Sequence, residues 1–274
     1  MRLAASNIAW KPKDDAAVAE ALSAAGFEGV ELAPTAVWER PLEVDASEVR
    51  RYRALWESRG LRVVALQALL FGRPELQVFG DEQLRRQLAE HLVGMIRLGG
   101  QLGAGALVFG SPKNRLVGAR TKEEAYDIAV PFFRQLGTVA HEHGTALCIE
   151  PNPTVYGCDW VTTSVEGLEL VRRVASPGFR LHLDAGGMTL SGESPGEANR
   201  ACFEAACHFH ASEPQLAPVG TPAVAHAAFA RALADARYPG WVSIEMRSQP
   251  NGEDLPPLRS ALDFVARTYG PALS

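Results

Sequence analysis

The chain has no apolar run approaching the roughly 18 residues that would suggest a membrane span. Its opening, MRLAASNIAW, also lacks the long apolar core of a secretory signal. A cytoplasmic protein without a membrane partner is therefore expected. A basic run is missing too: 27 Lys and Arg stand against 32 Asp and Glu, giving a formal charge of −5. Without a basic patch, the electrostatic footprint of a nucleic-acid binder is absent. The four cysteines, Cys148, Cys158, Cys202 and Cys207, show no CxxC spacing, and they read as reduced, mostly buried thiols. No linker rich in Pro, Gly or Ser and no low-complexity segment parts the chain. With nucleic acid and membrane set aside, a small polar substrate is the expected partner.

What the sequence does contain is an alternation. Its 274 residues are 47% hydrophobic and 22% charged, enough to bury a sizeable core without crosslinks. Eight short apolar segments, 3–8, 29–32, 63–67, 106–109, 146–150, 180–184, 208–211 and 242–246, alternate with helical patterns. That order predicts a parallel sheet with helical crossovers. Roughly 250 residues is typical of a (β/α)8 TIM barrel, so the expectation is one such domain over residues 1–274.

The clearest helix lies between Lys122 and His143. There Ala125, Ile128, Ala129, Phe132, Phe133, Leu136, Val139 and Ala140 form one apolar stripe, and Thr121 with Glu124 makes a capping box at its start. Thr163 and Glu166 repeat the device ahead of Leu168 and Val171. Further helices are expected around 14–25, 47–58, 81–101, 196–205, 222–236 and 256–268. Long connections follow the strands at 71–80, 111–120, 151–160 and 213–223. Loops leaving the C-terminal strand ends build the catalytic face of such a barrel.

Four side chains stand at the ends of the last four strands: Glu150 in LCIEPN, Asp184 in LHLDAGG, His210 in HFHASEP and Glu245 in VSIEMR. Their separations of 34, 26 and 35 residues are each about one β/α unit of this chain. Alternate strand residues share a face. With Leu147, Ile149, Leu181, Leu183, Phe209, Val242 and Ile244 turned toward the helices, all four point into the barrel at its upper rim. Three carboxylates so close would repel and raise one another's pKa unless a cation were present. One divalent metal ion supplies that charge, and the mixed oxygen and imidazole set suits Mn, Mg, Co or Zn.

Other residues carry weaker signals. Lys113 and Arg115 in GSPKNR, and Arg247 just past Glu245, are candidates to bind a substrate phosphate or carboxylate. Gln67 and the inward Glu31 are placed to contact substrate or fill the floor. His182 and His208, one layer below the rim, read as groups that orient ligands or as satisfied core histidines, and His182 is carried as a substrate-site candidate. Trp10, Trp38 and Phe71 are candidates for a pocket wall. His91, His141, His143 and His226 read as structural.

With those residues in view, the chain resembles the xylose isomerase-like barrel superfamily, which includes sugar phosphate isomerases and epimerases, ketose 3-epimerases, hydroxypyruvate isomerases and inosose dehydratases. The likeness is carried by GFEGVEL (26–32), IEPNP (149–153), LHLDAGGM (181–188), HFHASEP (208–214) and HAAFARALADARYPGWVSIEM (226–246). It implies that Glu150, Asp184, His210 and Glu245 match the family's single-metal ligands; in its ketose 3-epimerases the two glutamates also act as acid and base on opposite faces of the substrate. Where the ketose 3-epimerases carry a histidine three residues after the aspartate, this chain has Gly187, and EPQLAPVG offers none of their arginine. The superfamily's DNA-repair endonucleases use further histidines at earlier strand ends. Here those ends are Gln67 and Phe109-Gly110-Ser111, which argues against a nuclease. Related barrels often associate, so a homo-oligomer is also among the expectations.

Three readings of the reaction follow. The first is an isomerase or epimerase of a sugar, sugar phosphate or related hydroxy-carbonyl compound. In it Glu150 or Glu245 removes the proton next to the carbonyl and the metal stabilises the enediolate. The second is a lyase that expels water after the same abstraction, as the family's dehydratases do. The third is a barrel that binds a sugar-like ligand without turning it over.

Overall fold

Inward and outward side chains alternate along each apolar segment. A computed structural model, describing residues 1–196 and 199–270, closes these segments into one parallel barrel. Strands β1 (Arg2–Ser6), β2 (Gly29–Leu32), β3 (Arg62–Leu66), β4 (Ala106–Phe109), β5 (Ala146–Ile149), β6 (Phe179–Asp184), β7 (Ala206–Ser212) and β8 (Trp241–Glu245) pair in chain order, with β8 closing on β1. The first strand stops short of its expected end. Ser6 accepts from the Ile8 amide and turns Asn7–Ala9 into a short 3-10 helix.

The helices are α1 (Asp15–Ala24), α2 (Pro34–Val37), α3 (Ala46–Glu57), α4 (Glu82–Leu102), α5 (Lys122–Glu142), α6 (Ser164–Val174), α7 (Ala185–Leu190), α8 (Arg200–Ala205), α9 (His226–Asp235) and α10 (Leu255–Tyr269). The helix expected from 196 is described only from Arg200, and residues 197 and 198 lie outside the described residues. The Thr121–Glu124 capping box is present in full. Its counterpart at α6 is displaced by one residue: Glu166 accepts from the Thr162 amide, while Thr163 accepts from Glu166. Among the described residues no helix is long and apolar enough to cross a membrane.

Two apolar regions result. The larger lies between sheet and helices, where Phe133 stacks on Phe179 at 4.9 Å and meets Phe109 edge-on at 5.5 Å. Trp10 and Trp38 belong to it and do not wall a pocket. Trp10 Nε1 donates to Asp15 and Trp38 Nε1 donates to Glu48, so burial of each indole is matched by a hydrogen bond. Phe71 lies apart, 72% exposed. The smaller region fills the N-terminal half of the barrel with Ala4, Val64, Ala65, Ala106, Ala146 and Cys148. Small side chains there leave the upper half to polar groups.

Helix α5 sits unusually close to the segment entering β6. A Cβ on Gly178 would lie 2.0 Å from the Gly137 carbonyl oxygen. The oxygen it meets, and the His141 nitrogen 2.7 Å away, belong to the backbone of α5, so relief requires moving the helix. Gly178→Ala is therefore expected to cost about 1–3 kcal/mol of stability, the usual range for overpacking. Denaturant unfolding measures this, and an unchanged midpoint would contradict the close approach.

Candidate metal centre

Strand register brings the last four strand ends to one corner. Asp184 pairs with His210 across β6 and β7, and Ser212 pairs with Glu245 across β7 and β8. Glu150 follows β5 directly, its amide bonded to the Phe109 carbonyl of β4. One donor atom each from Glu150, Asp184 and His210 lies within 4.8 Å of the others. Glu245 completes the corner with Oε2 3.3 Å from His210 Nδ1. The four residues singled out by strand parity thus share one buried cluster.

Each is positioned by its own local chemistry. The Asp184 carboxylate caps α7, accepting from the Gly187 amide, and its other oxygen accepts from the Ser212 hydroxyl. Gly110, just past β4, leaves room for Glu150, because a Cβ there would lie 2.1 Å from Glu150 Oε2. His210 is held from below: its Nε2 sits 3.0 Å from both oxygens of Glu31 on β2. His208 Nε2 reaches the same carboxylate at 3.2 Å. With Nε2–H donating to Glu31, Nδ1 faces the cluster, where a bound ion would take the place of its proton. A carboxylate behind the far ring nitrogen is the usual support of a metal-binding histidine.

The electrostatics follow from burial and crowding. Burial, then the neighbouring Glu245 and Asp184, push Glu150 up to about 8. Burial and Glu245 push Asp184 up to about 6. Glu31 behaves oppositely: burial opposes its charge, yet His210 and His208 hold it well below the usual carboxylate range. His210 is raised well above its ordinary value by Glu31 and Glu245, against the effect of burial. His182 is driven down by burial and by the two other imidazoles. Removing water from several crowded acids is costly, and a cation between them would offset that cost. The donor set of oxygens and one imidazole suits a hard or borderline divalent ion. The residues present fit a metal site.

A cleft of about 610 Å³ opens above this corner, lined by Gln67, Asn152, Tyr156, Glu213 and Arg247 among others. Gln67 and Arg247 thus lie where the sequence places substrate contacts, although the Arg247 guanidinium donates to the Gln215 carbonyl and Gln67 Nε2 donates to Ser6 at 2.7 Å. Three other candidates are elsewhere. Lys113 is exposed and does not line the cleft. Arg115 is fully buried and donates to the Glu150 carbonyl at 2.7 Å, so it braces the strand end and cannot reach a substrate anion. His182 is sealed one layer below the carboxylates, its Nε2 3.8 Å from Glu150 Oε1. Glu31 neither meets substrate nor simply fills space, because it is the counter-charge of His210. Ser212 and Gly110 carried no chemical signal in the sequence beyond their places beside strand ends.

Residues 19–268 match the profile of the xylose isomerase-like TIM barrel family. No curated protein matches the chain in sequence. Among solved structures, a D-psicose 3-epimerase superposes with a TM-score of 0.80 at 18% identity, covering 98% of this chain and 100% of that one. An L-ribulose 3-epimerase gives 0.80 at 18% identity over 99% and 95% of the two chains. A 3-keto-D-glucoside 4-epimerase from E. coli gives 0.77 at 16% over 98% and 99%. At such identities the likeness speaks for the fold alone.

Raised carboxylate pKa values mean that the folded protein holds these protons more tightly than the unfolded chain. For Glu150, going from 4.5 to about 8, that stability is present in acid and is lost as pH rises toward 8. Asp184, going from 3.8 to about 6, acts in the same direction over a lower window. In chelator the thermal midpoint is therefore expected to fall between about pH 6.5 and pH 8, above the range in which the buried, neutral His182 acts in the opposite sense, and divalent ion should restore it most at the alkaline end. A midpoint that rises with pH over that range in chelator would refute this charge balance. Independently, Gly110→Ala should displace Glu150 and weaken ion binding at least about tenfold in calorimetric titration while leaving circular dichroism unchanged.

Proposed function

The chain belongs to the xylose isomerase-like TIM barrel family, and from that footing and the geometry of its corner we propose a single-domain, metal-dependent isomerase or epimerase. Its substrate class is a sugar, sugar phosphate or related hydroxy-carbonyl compound. Its cofactor is one divalent ion, Mn, Mg, Co or Zn, held by Glu150, Asp184, His210 and Glu245. The observation that carries this reading is a pair of buried carboxylates, Glu150 past β5 and Glu245 ending β8, that meet over the same Asp184–His210 pair beneath an open cleft.

When bound, the ion supplies Lewis acidity, drawing electron density from a substrate carbonyl and making the adjacent carbon acidic. The residues of the chain do the rest. Glu150 and Glu245 stand on different strands, so one takes the proton from that carbon and the other returns it from a second direction. Burial and like charge keep a proton on Glu150 near neutrality in the ion-free site, the property wanted in a group that must both give and take one. Asp184, tied by Ser212 and the Gly187 amide, and His210, tied by Glu31, hold the corner still. Gln67, Asn152 and Tyr156 offer amide and phenol groups to sugar hydroxyls across the cleft. The structurally similar proteins named for D-psicose, L-ribulose and 3-keto-D-glucoside epimerisation support the substrate class.

The test is metal analysis of the purified protein followed by a screen of ketoses, ketose phosphates and inososes in deuterated water. Solvent deuterium should enter the product at the reacting carbon. Glu150→Gln and Glu245→Gln should each lower kcat by about 10²–10⁴-fold with the fold retained. Hydride transfer without exchange would reject the proton route, and a product lighter by one water would move the protein among the dehydratases. Protein without stoichiometric metal, with ion affinity unaltered in Glu245→Gln, would leave only a binding role.

A further inference from the structure

The opposite end of the barrel carries chemistry that the proposed reaction does not use. A cavity of about 760 Å³ opens on the N-terminal face, bordered by Arg2, Arg62, Cys207, His208 and Trp241. Strand alternation would turn Cys207 outward beside Phe209. The β6–β7 pairing shifts register between Leu181 and His182, however, and Cys207 packs instead against the inner cluster. There its sulfur lies 3.1 Å from the sulfur of Cys148 on β5. Cys148 is fully buried, whereas Cys207 is half-buried and borders the cavity. The other two thiols differ: Cys158 donates to the Trp160 carbonyl at 3.1 Å, and Cys202 is buried on α8.

We propose that Cys148 and Cys207 form an oxidisable dithiol, open to small peroxides through the N-terminal cavity, that closes to an intramolecular disulfide. The two sulfurs in contact must approach by about 1 Å to reach the S–S bond length of about 2.05 Å, and because β6 separates their strands the backbones of β5 and β7 must also draw together. The co-reactant is hydrogen peroxide. The Cys207 sulfur takes one peroxide oxygen, the O–O bond breaks, and the first water leaves, giving a sulfenic acid. The Cys148 sulfur then displaces that hydroxyl, which departs with the Cys148 proton as the second water, and the S–S bond forms. The pair loses two electrons and the peroxide gains them. The crosslink spans β6, tying β5 to β7 and closing a loop between residues 59 apart. It lies in the layer below His208 and His210, so it stiffens the strands that carry Glu150 and His210 without touching either side chain.

The test treats the full chain with hydrogen peroxide, unfolds it without reductant and alkylates the remaining thiols. The expected count falls from four to two, the mass drops by about two units, a peptide map joins 148 to 207, and reductant restores all four thiols. Cys148→Ser and Cys207→Ser should each abolish the crosslink. If either variant fails to fold, the map of the wild-type chain decides alone. Four alkylated thiols after treatment, oxygen added without a crosslink, or a bridge joining other cysteines or two chains would overturn the proposal.

Discussion

The buried contact between Glu31 and His210 is the constraint from which the polar half of this barrel takes its form. It joins β2 to β7 across the interior, with Nε2 3.0 Å from both carboxylate oxygens and both residues sealed from solvent. A buried ion pair is weak evidence for stability, since desolvation offsets much of the attraction. Its worth here is geometric. Fixing one ring nitrogen fixes where the other points, and Nδ1 is thereby turned toward Glu150, Asp184 and Glu245. Breaking the pair would leave an unpaired carboxylate in the core and free the imidazole to rotate away from the corner.

Above that pair three acids crowd around His210, whose single charge does not balance them. Ser212 and the Gly187 amide satisfy Asp184 by hydrogen bonds, but hydrogen bonds do not supply charge. Glu150 and Asp184 consequently hold their protons well above ordinary carboxylate values. The lower half of the barrel is the converse, filled by alanines and other small groups that ask for no compensation. The molecule thus separates an apolar plug that stabilises from a polar rim that costs stability.

Much of this was legible in the sequence because period and spacing are local properties. The eight strands and the convergence of Glu150, Asp184, His210 and Glu245 follow from alternation and the repeat of one β/α unit, and the structure assembles the same four. The role of Glu31 was hidden because its partner lies 179 residues away, a distance no periodicity spans. Arg115 misled for a related reason: a cation on a loop reads as exposed until the fold shows it clamped on the Glu150 carbonyl. Cys207 escaped notice because a register shift reverses the face that alternation assigns it.

Gly187 marks a point where the start of α7 and the seat of the Asp184 carboxylate are one and the same contact. A side chain there would begin 3.0 Å from the Asp184 oxygen that the Gly187 amide already occupies, so the carboxylate would have to give way. Any larger residue at this position therefore carries its cost straight into the carboxylate, by way of a shift of a few tenths of an ångström in Asp184 or in the first turn of α7.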